Sequence, residues 1–179
     1  MRIIGGSHRG REIKVDKGLP VRPTTAFATE SLFNILWNRF NFEEISVLDL
    51  FSGTGHISFE FASRGTKQID SVDINYKCVQ FQNKIKTQYN WPIHVIKSDV
   101  FNFISNNNGS KYDIVFADPP FDIEKYEDLH NNIFKNNFLN DNGFLIIEHG
   151  PRTKLENLPY FSEHRRYGNV NFSFFTLNK

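Results

Sequence analysis

The stretch Val47-Leu48-Asp49-Leu50-Phe51-Ser52-Gly53-Thr54-Gly55 decides the predicted fold, because a hydrophobic strand here runs into a glycine turn and then a helix. Gly53 and Gly55 let the backbone approach a ligand closely, and the helix start offers free N–H groups. The third glycine of a G-x-G-x-x-G dinucleotide motif is missing, since Ser58 stands at that position. Asp49 would also repel a pyrophosphate, so the turn favours a ligand with a cationic end.

Further along the chain, short hydrophobic runs alternate with helical periodicity. The pattern predicts strands near 46–50, 68–73, 93–97, 112–117 and 143–148, and helices near 26–40, 55–64, 76–89, 100–106 and 124–136. Thr24 or Thr25 would cap the first helix. Strands separated by helices indicate a mainly parallel sheet that is covered on both faces.

Two final strands, 161–166 and 170–177, are separated by too few residues for a parallel crossover. They predict an antiparallel C-terminal hairpin at one edge of the sheet. The expected fold is therefore α/β and Rossmann-like, with a mainly parallel seven-stranded sheet. This arrangement is typical of methyltransferases that use S-adenosylmethionine (SAM), whereas dinucleotide dehydrogenases normally lack the terminal hairpin.

A second informative motif, Asp118-Pro119-Pro120-Phe121, follows the strand predicted at 112–117. Two consecutive prolines must end that strand at the carboxyl edge of the sheet, where open α/β sheets bind ligands. Asp118 could accept one N–H of a planar amine, the carbonyl of Pro119 could accept the other, and Phe121 could lie against the ring. An ordinary strand end is the alternative interpretation.

Carboxylates also end two neighbouring strands. Asp73 follows the glycine turn by about 20 residues, where an acidic residue commonly holds ribose hydroxyls. Asp99, followed by Val100, ends the third strand and could accept the exocyclic amine of adenine. Each could instead cap the next helix. Because Asp49, Asp73, Asp99 and Asp118 fall on one edge of the predicted sheet, we expect a nucleoside pocket there.

The amino-terminal segment differs from the rest in charge. Residues 1–22 hold six basic and two acidic residues, a net charge of +4, whereas the other fifteen basic and eighteen acidic residues give −3. A basic segment on a mildly acidic body indicates contact with a polyanion, although a solvated, mobile terminus is equally compatible. Strand-like runs at 2–5 and 11–15 predict a hairpin. We therefore divide one compact domain into an arm and linker, 1–25, and a methyltransferase body, 26–179.

Composition narrows the class of protein. A chain of 179 residues with 39% hydrophobic content accommodates one well-buried domain. A single cysteine, Cys78, excludes an internal disulfide, and no run reaches membrane-spanning length, so a soluble, cytoplasmic protein is expected. The six histidines show no metal-ligand spacing with that cysteine, so we expect no metal. A monomer is the default expectation.

Two further groups of residues are distinctive. Arg2-Ile3-Ile4-Gly5-Gly6 with Arg9-Gly10-Arg11 opens the chain, and Arg22-Pro23-Thr24-Thr25 precedes Glu30-Ser31-Leu32-Phe33-Asn34. Together with 49–55 and 118–121, these motifs resemble the bacterial 16S rRNA guanine-N2 methyltransferases, the RsmD family. The resemblance spans nearly the whole chain. The amino-terminal motifs are its specific part, whereas many methyltransferases share the glycine turn.

The resemblance implies SAM-dependent methylation of the exocyclic N2 of one guanine, position 966 in the usual 16S rRNA numbering, in assembled or partly assembled small (30S) subunits. By matching motif, the residues that border the methionine part of SAM would be Asp49, Phe51, Ser52, Gly53 and Gly55, with Asp73 at the ribose and Asp99 and Val100 at the adenine. The guanine would be received by Asp118, Pro119, Pro120 and Phe121. The residues that face RNA would be Arg2, Arg9, Arg11, Arg22 and Thr24.

The chain also departs from the family pattern. Ala26 and Thr29 stand where Asp and Arg are common in the family. These two departures affect the expected contact between the first helix and RNA. His56-Ile57-Ser58 replaces small apolar residues after the glycine turn. We expect these three side chains to lie beyond the glycine contacts with the cofactor.

Other functions fit parts of the pattern. An adenine-N6 methyltransferase could use the same motif at 118–121, but the chain leaves little room for a separate DNA-recognition domain. A glutamine-N5 methyltransferase of proteins has little use for a basic arm. A nicotinamide-dependent dehydrogenase is disfavoured by the missing third glycine and the terminal hairpin. A catalytically silent RNA-binding assembly factor is also possible, and the intact 118–121 motif favours an enzyme over it.

Overall fold

The computed structural model describes residues 1–19, 24–106, 109–120 and 125–178. Within them, the helices are α1 (Ala26–Trp37), α2 (His56–Ser63), α3 (Tyr76–Tyr89), α4 (Val100–Ser105) and α5 (Tyr126–Lys135). The strands are β1 (Ser46–Leu50), β2 (Gln68–Asp73), β3 (Ile93–Lys97), β4 (Tyr112–Ala117), β5 (Leu139–His149), β6 (Phe161–Tyr167) and β7 (Val170–Phe175). The predicted bounds of β1 to β4 coincide with the structure.

The strands form one sheet in the order β3-β2-β1-β4-β5-β7-β6. Neighbouring strands from β3 to β5 are parallel, and β7 pairs antiparallel with both β5 and β6. The predicted α/β fold, a mainly parallel sheet with an antiparallel C-terminal hairpin, is confirmed. The strand order reverses between β1 and β4, and the crevice at such a reversal is where open α/β sheets bind ligands.

Helices cover both faces of the sheet. On one face, α1, α2 and α3 contribute the buried side chains of Phe33, Phe61 and Phe81 to the core. On the other face, α4 and α5 contribute Ile104 and Leu129. Because both faces are covered, polar side chains that serve a ligand are confined to the strand ends. Among the described residues, no helix has the length and apolar character needed to cross a membrane.

Two predicted boundaries differ from the structure by more than two residues. β5 begins at Leu139, earlier than the predicted 143. Its pairing with β4 shifts register between Tyr112 and Ile114, and this irregularity interrupts the sequence pattern of a strand. α1 ends at Trp37 rather than near 40, because the following residues form a turn that closes on the carbonyl of Leu36.

Thr25, one of the two predicted candidates, is the N-cap of α1. The hydroxyl of Thr25 accepts a hydrogen bond from the amide of Ala28 (3.2 Å) and so satisfies a free N–H of the first turn. The buried face of the helix then carries Ala28, Leu32 and Leu36, at helical spacing.

The amino-terminal arm, residues 1–19, is docked on the body. Ile3 and Ile13 are almost fully buried in the core on the α2 side of the sheet. The ring of His8 meets Tyr89 and Trp91 edge-on, each at a centroid distance of 5.2 Å. The mobile terminus that the charge pattern left open is therefore not what the structure shows.

The arm has the connectivity of a hairpin without regular strands. Arg2 and Glu12 form an isolated antiparallel bridge, and the turn between them contains a 3₁₀ segment, Gly6–His8. The amides of Ile3 and Ile13 donate to the carbonyls of Arg11 (2.9 Å) and Met1 (2.8 Å), so the predicted hairpin pairing is present. It does not extend into two strands at 2–5 and 11–15, because the turn interrupts it after Ile3. The amide of Ile4, on the outer side of this pairing, donates to Oε1 of Glu60 in α2 (2.6 Å).

Two glycines allow the arm to approach α2 closely. A Cβ at Gly6 would lie 1.9 Å from the carbonyl oxygen of Ser63, and the φ of Gly6 is +75°. A Cβ at Gly5 would lie 2.4 Å from the guanidinium of Arg64. Backbone cannot move aside as a flexible side chain can, so Gly6 is the more demanding position.

We expect Gly6→Ala to lower the free energy of unfolding by about 1–3 kcal/mol, because the new methyl group must displace the arm as well as adopt a left-handed backbone. Gly18→Ala is the matched control, since Gly18 has a φ of +87° but no atom of a described residue within 4 Å of an added Cβ. Urea denaturation of both variants measures the difference. Equal losses in the two variants would contradict the close docking.

Candidate active site

Three carboxylates share one face of the sheet at its carboxyl edge. Asp49 of β1 pairs in register with Ser71 of β2 and Phe116 of β4. Side chains of paired residues in a parallel sheet point to the same face, and so do those two positions further along. Asp73 and Asp118 therefore lie on the face of Asp49, where the strand order reverses.

Asp49 is nearly inaccessible, with 1% of its surface exposed. Its Oδ2 accepts hydrogen bonds from the amide (3.1 Å) and the hydroxyl (2.6 Å) of Ser58. Burial raises the pKa of Asp49 to about 7; the bonds from Ser58 lower it, and the negative charges of Asp118 and Asp73 raise it. The first turn of α2 thus reaches the end of β1, and the position of the side chains of 56–58 relative to the glycine contacts with the cofactor stays a prediction.

The turn between β1 and α2 has a constrained backbone. Phe51, Gly53 and Gly55 all have left-handed φ values, of +57°, +53° and +81°. The amide of Ser52 donates to the carbonyl of Val72 (3.0 Å), which fixes the turn against β2. A non-glycine residue such as Phe51 at positive φ costs about 1–3 kcal/mol, and such strain clusters at ligand sites.

Gln82 of α3, which the sequence did not single out, fixes the same turn. Its Nε2 donates to the carbonyl of Gly53 (2.8 Å) and the hydroxyl of Ser52 (2.9 Å), and its Oε1 accepts from the hydroxyl of Ser71 (2.7 Å). A Cβ at Gly55 would lie 2.9 Å from the Gln82 side chain. The second glycine of the motif is therefore required where the turn meets α3.

Both carboxylate oxygens of Asp73, at the end of β2, accept hydrogen bonds from backbone amides. Oδ2 accepts from the amide of Gly53 and Oδ1 from the amide of Asn75, each at 2.7 Å. Each carboxylate oxygen can accept a second hydrogen bond, so Asp73 keeps capacity for two ligand hydroxyls. The helix cap proposed as its alternative role belongs to Asn75, which caps α3.

Asp99 differs from the other three carboxylates. Its Oδ1 accepts from the amide of Asn102 (2.9 Å) and caps α4, which is the alternative role considered for it. The side chain of Val100 is buried in the core between α4 and the sheet. A contact between Val100 and a ligand would therefore use its backbone, and Asp99 would use its second oxygen.

A cavity of about 210 Å³ lies beside Asp49 and Asp118. The body lines it with these two carboxylates, Phe116 and the residues Thr54, His56 and Ile57. The arm and the start of α1 complete the lining with Met1, Arg2, Thr24 and Ala26. The arm therefore forms one wall of the cavity and brings a basic side chain to its rim.

Thr24 is turned toward the sheet rather than toward the outer surface. Its hydroxyl donates to Oε2 of Glu148 at the end of β5 (2.9 Å), and the residue is 9% exposed. Through this contact Glu148 anchors the segment before α1 to the sheet. A role of Thr24 toward RNA is thus confined to the cavity that it lines.

The remaining predicted site residues differ in their exposure. Arg2, Arg9 and Arg11 are exposed, and none of them forms an ion pair with a described carboxylate. Pro119 is buried and Pro120 is exposed. The predicted roles of Arg22 and Phe121 fall outside the described residues.

The sequence of this chain matches one family model and several proteins that share a name. The family described as Conserved hypothetical protein 95 matches residues 1–176. A Buchnera aphidicola protein named Ribosomal RNA small subunit methyltransferase D is 32% identical over 149 residues, which cover 83% of this chain and 75% of that protein. The Escherichia coli K12 protein of the same name is 30% identical over 167 residues, which cover 92% of this chain and 83% of the relative.

Solved structures share the fold. An Escherichia coli protein described as a candidate methyltransferase superposes with a TM-score of 0.85 at 29% identity, over 98% of this chain and 96% of the other. A Thermus thermophilus 16S rRNA N2 G1207 methyltransferase, in complex with AdoMet and guanosine, gives a TM-score of 0.71 at 20% identity. It covers 89% of this chain and 45% of that chain, and at this identity the likeness concerns the fold alone.

The raised pKa of Asp49 predicts a pH dependence of stability. Between its ordinary value of 3.8 and about 7, the folded state keeps a proton that the unfolded state has lost. The resulting stabilisation is complete below about pH 4 and disappears as the pH rises through about 7. We expect the free energy of unfolding of the wild type, relative to Asp49→Asn, to be smaller at about pH 8 than at about pH 5. Urea denaturation at both pH values measures it, and a constant or rising difference would contradict the shift.

Proposed function

This chain belongs to the family described as Conserved hypothetical protein 95, the RsmD family, and we propose that it methylates the exocyclic N2 of one guanine in 16S rRNA with SAM as methyl donor. Its relatives from Buchnera aphidicola and Escherichia coli carry the name of small-subunit ribosomal RNA methyltransferases. The substrate is the guanine in assembled or partly assembled 30S subunits, and the protein acts on it as a cytoplasmic monomer.

The position of Asp118 is the observation that carries this proposal. Its partly exposed carboxylate lines the cavity next to Asp49, while Arg2 of the basic arm lines the same cavity. A residue suited to holding an amine, a second carboxylate suited to a cationic ligand and a basic arm suited to a polyanion thus meet at one place. A methyl transfer from a cationic donor to an amine of RNA needs these three elements together.

The residues of this edge fit SAM. The cofactor carries positive charge on its amino group and its sulfonium, and the site offers it the carboxylates of Asp49 and Asp73. Negative neighbours contribute to the raised pKa of Asp49, so a bound cation would favour its ionised form. Gly53 and Gly55 leave the turn open to close approach, and Asp73 keeps acceptor capacity for the ribose hydroxyls.

The chain itself would act mainly by holding the acceptor. SAM supplies an electrophilic methyl group when it is bound. The N2 amine of guanine is conjugated with its ring and is a weak nucleophile. Asp118 and the carbonyl of Pro119 would accept its two hydrogens, which raises the electron density on nitrogen and orients it. Phe121, at the end of the same motif, would lie against the guanine ring.

The location of N2 restricts the form of the substrate. This atom lies on the minor-groove edge of guanine, so a paired and stacked guanine cannot enter a cavity at the edge of the sheet. The target is therefore a loop nucleotide or one that is turned out of a helix. The exposed Arg9 and Arg11 of the arm would contact the surrounding phosphates, and binding would weaken as salt is raised.

We expect the wild type to transfer label from methyl-labelled SAM to unmethylated 30S subunits and to yield N2-methylguanosine on nucleoside analysis. Asp118→Ala should lower the rate at saturating SAM by about 100-fold or more, because the amine loses its charged acceptor. Asp118→Asn keeps one carbonyl acceptor and should retain more activity than Asp118→Ala. Calorimetric titration should show SAM affinity within a few-fold of wild type in both variants.

Other products would assign other functions. Labelled N6-methyladenosine would place the chain among adenine methyltransferases, and label on protein glutamine would indicate the N5 activity. Binding of RNA and SAM without any transfer would identify an assembly factor. Full activity in Asp118→Ala would remove the amine-holding role from this residue.

A further inference from the structure

An aromatic pair lies at the start of α1, where one of its members directly follows a residue that lines the cavity. Phe27 follows the cavity residue Ala26 in the first turn of α1, and it is 66% exposed. Tyr167, the last residue of β6, meets Phe27 edge-on, with ring centroids 5.7 Å apart and ring planes at 83°. We name Phe27 and Tyr167 the rim aromatics.

The rim aromatics form a supported surface. Tyr167 packs against Phe172 of β7, which is fully buried, at a centroid distance of 6.0 Å. Phe27 therefore rests on a ring that the hairpin holds in place. A single exposed aromatic residue would need no explanation, but a supported pair beside a ligand cavity offers a flat apolar face to a substrate entering there.

The charge around the rim aromatics suits RNA. Arg2 of the arm is exposed and lines the same cavity as Ala26, the residue before Phe27. It forms no ion pair with a described carboxylate. A basic side chain and an aromatic surface thus occur around one cavity, a combination found in sites that bind single-stranded nucleic acid.

We propose that the rim aromatics stack against an unpaired nucleobase adjacent to the target guanine. This inference rests on the proposed function, because it takes RNA as the substrate of the cavity. When a guanine leaves its stack to enter the cavity, its neighbour loses a stacking partner, and Phe27 replaces that partner. Every base has an aromatic face, so the contact adds affinity without reading the sequence.

A second copy of this chain does not fit the same surface. Two aromatic side chains can bury at most about 500 Å², whereas a stable interface buries about 800 Å² on each partner. The basic arm, which brings Arg2 to the cavity, also favours a polyanion over another copy of the chain.

Sedimentation of the protein with 30S subunits at several salt concentrations tests the proposal. Phe27→Ala should weaken binding about tenfold, because a stacked base is lost, and Phe27→Trp should restore it. The salt dependence should not change in Phe27→Ala, since no phosphate contact is lost. The double variant Arg9→Gln/Arg11→Gln should instead weaken binding and make the logarithmic salt dependence shallower by about 1–2.

Tyr160→Ala supplies the matched control. Tyr160 precedes the opposite end of β6, is 45% exposed, and stacks on Phe134 of α5 on the other side of the sheet. This variant should bind 30S subunits like the wild type. SAM affinity and the melting temperature of Phe27→Ala should also match those of the wild type, which separates a contact with RNA from a role in folding.

Three outcomes would overturn the proposal. The first is unchanged 30S affinity in Phe27→Ala, and the second is a loss that Tyr160→Ala reproduces. The third is a loss on 30S subunits with unchanged affinity for protein-free 16S rRNA, which would assign the rim aromatics to a ribosomal protein. Because binding is measured without methyl transfer, a wild type that shows the expected pattern but forms no N2-methylguanosine would contradict the proposed function alone.

Discussion

The buried carboxylate of Glu60 holds the amino-terminal arm against α2, and the arm forms one wall of the cavity. It has no exposed surface, accepts the amide of Ile4 and pairs with Arg64. Burial acts to raise the pKa of Glu60, but the neighbouring His56 and Arg64 outweigh it and hold the pKa below its usual value. Without the arm, Glu60 would keep Arg64 but lose the amide of Ile4, and an unsatisfied hydrogen bond at a buried acceptor costs about 1–3 kcal/mol. This hydrogen bond therefore helps to hold the arm on α2.

Helix α2 connects the two halves of the site. Its first turn holds Asp49 through Ser58, and its last turn holds the arm through Ser63, whose hydroxyl donates to the carbonyl of Gly5 (2.6 Å). The acidic edge that would face the cofactor and the basic arm that would face RNA are thus fixed to one short rigid element. Converging carboxylates without a cation repel each other, so the protein alone maintains an arrangement that a cationic ligand would stabilise.

Local patterns in the sequence predicted the sheet and its edge. The signals are local in the sequence: strand periodicity, the glycine turn and the break at Pro119-Pro120 each involve consecutive residues. The carboxylates at the strand ends could therefore be placed from the sequence. The partners of those carboxylates could not, because the bonds from Ser58 to Asp49 and from Thr24 to Glu148 depend on how distant elements pack. The role of Gln82 in holding the glycine turn was not predicted for the same reason.

The central claim is that the amine of guanine is held at Asp118 and Pro119. A crystal structure of the protein with S-adenosylhomocysteine and guanosine tests it most directly. We predict that N2 of the guanine lies within about 3 Å of both a carboxylate oxygen of Asp118 and the carbonyl oxygen of Pro119. A guanine bound outside the cavity, or one whose N2 points away from Asp118, would contradict the account.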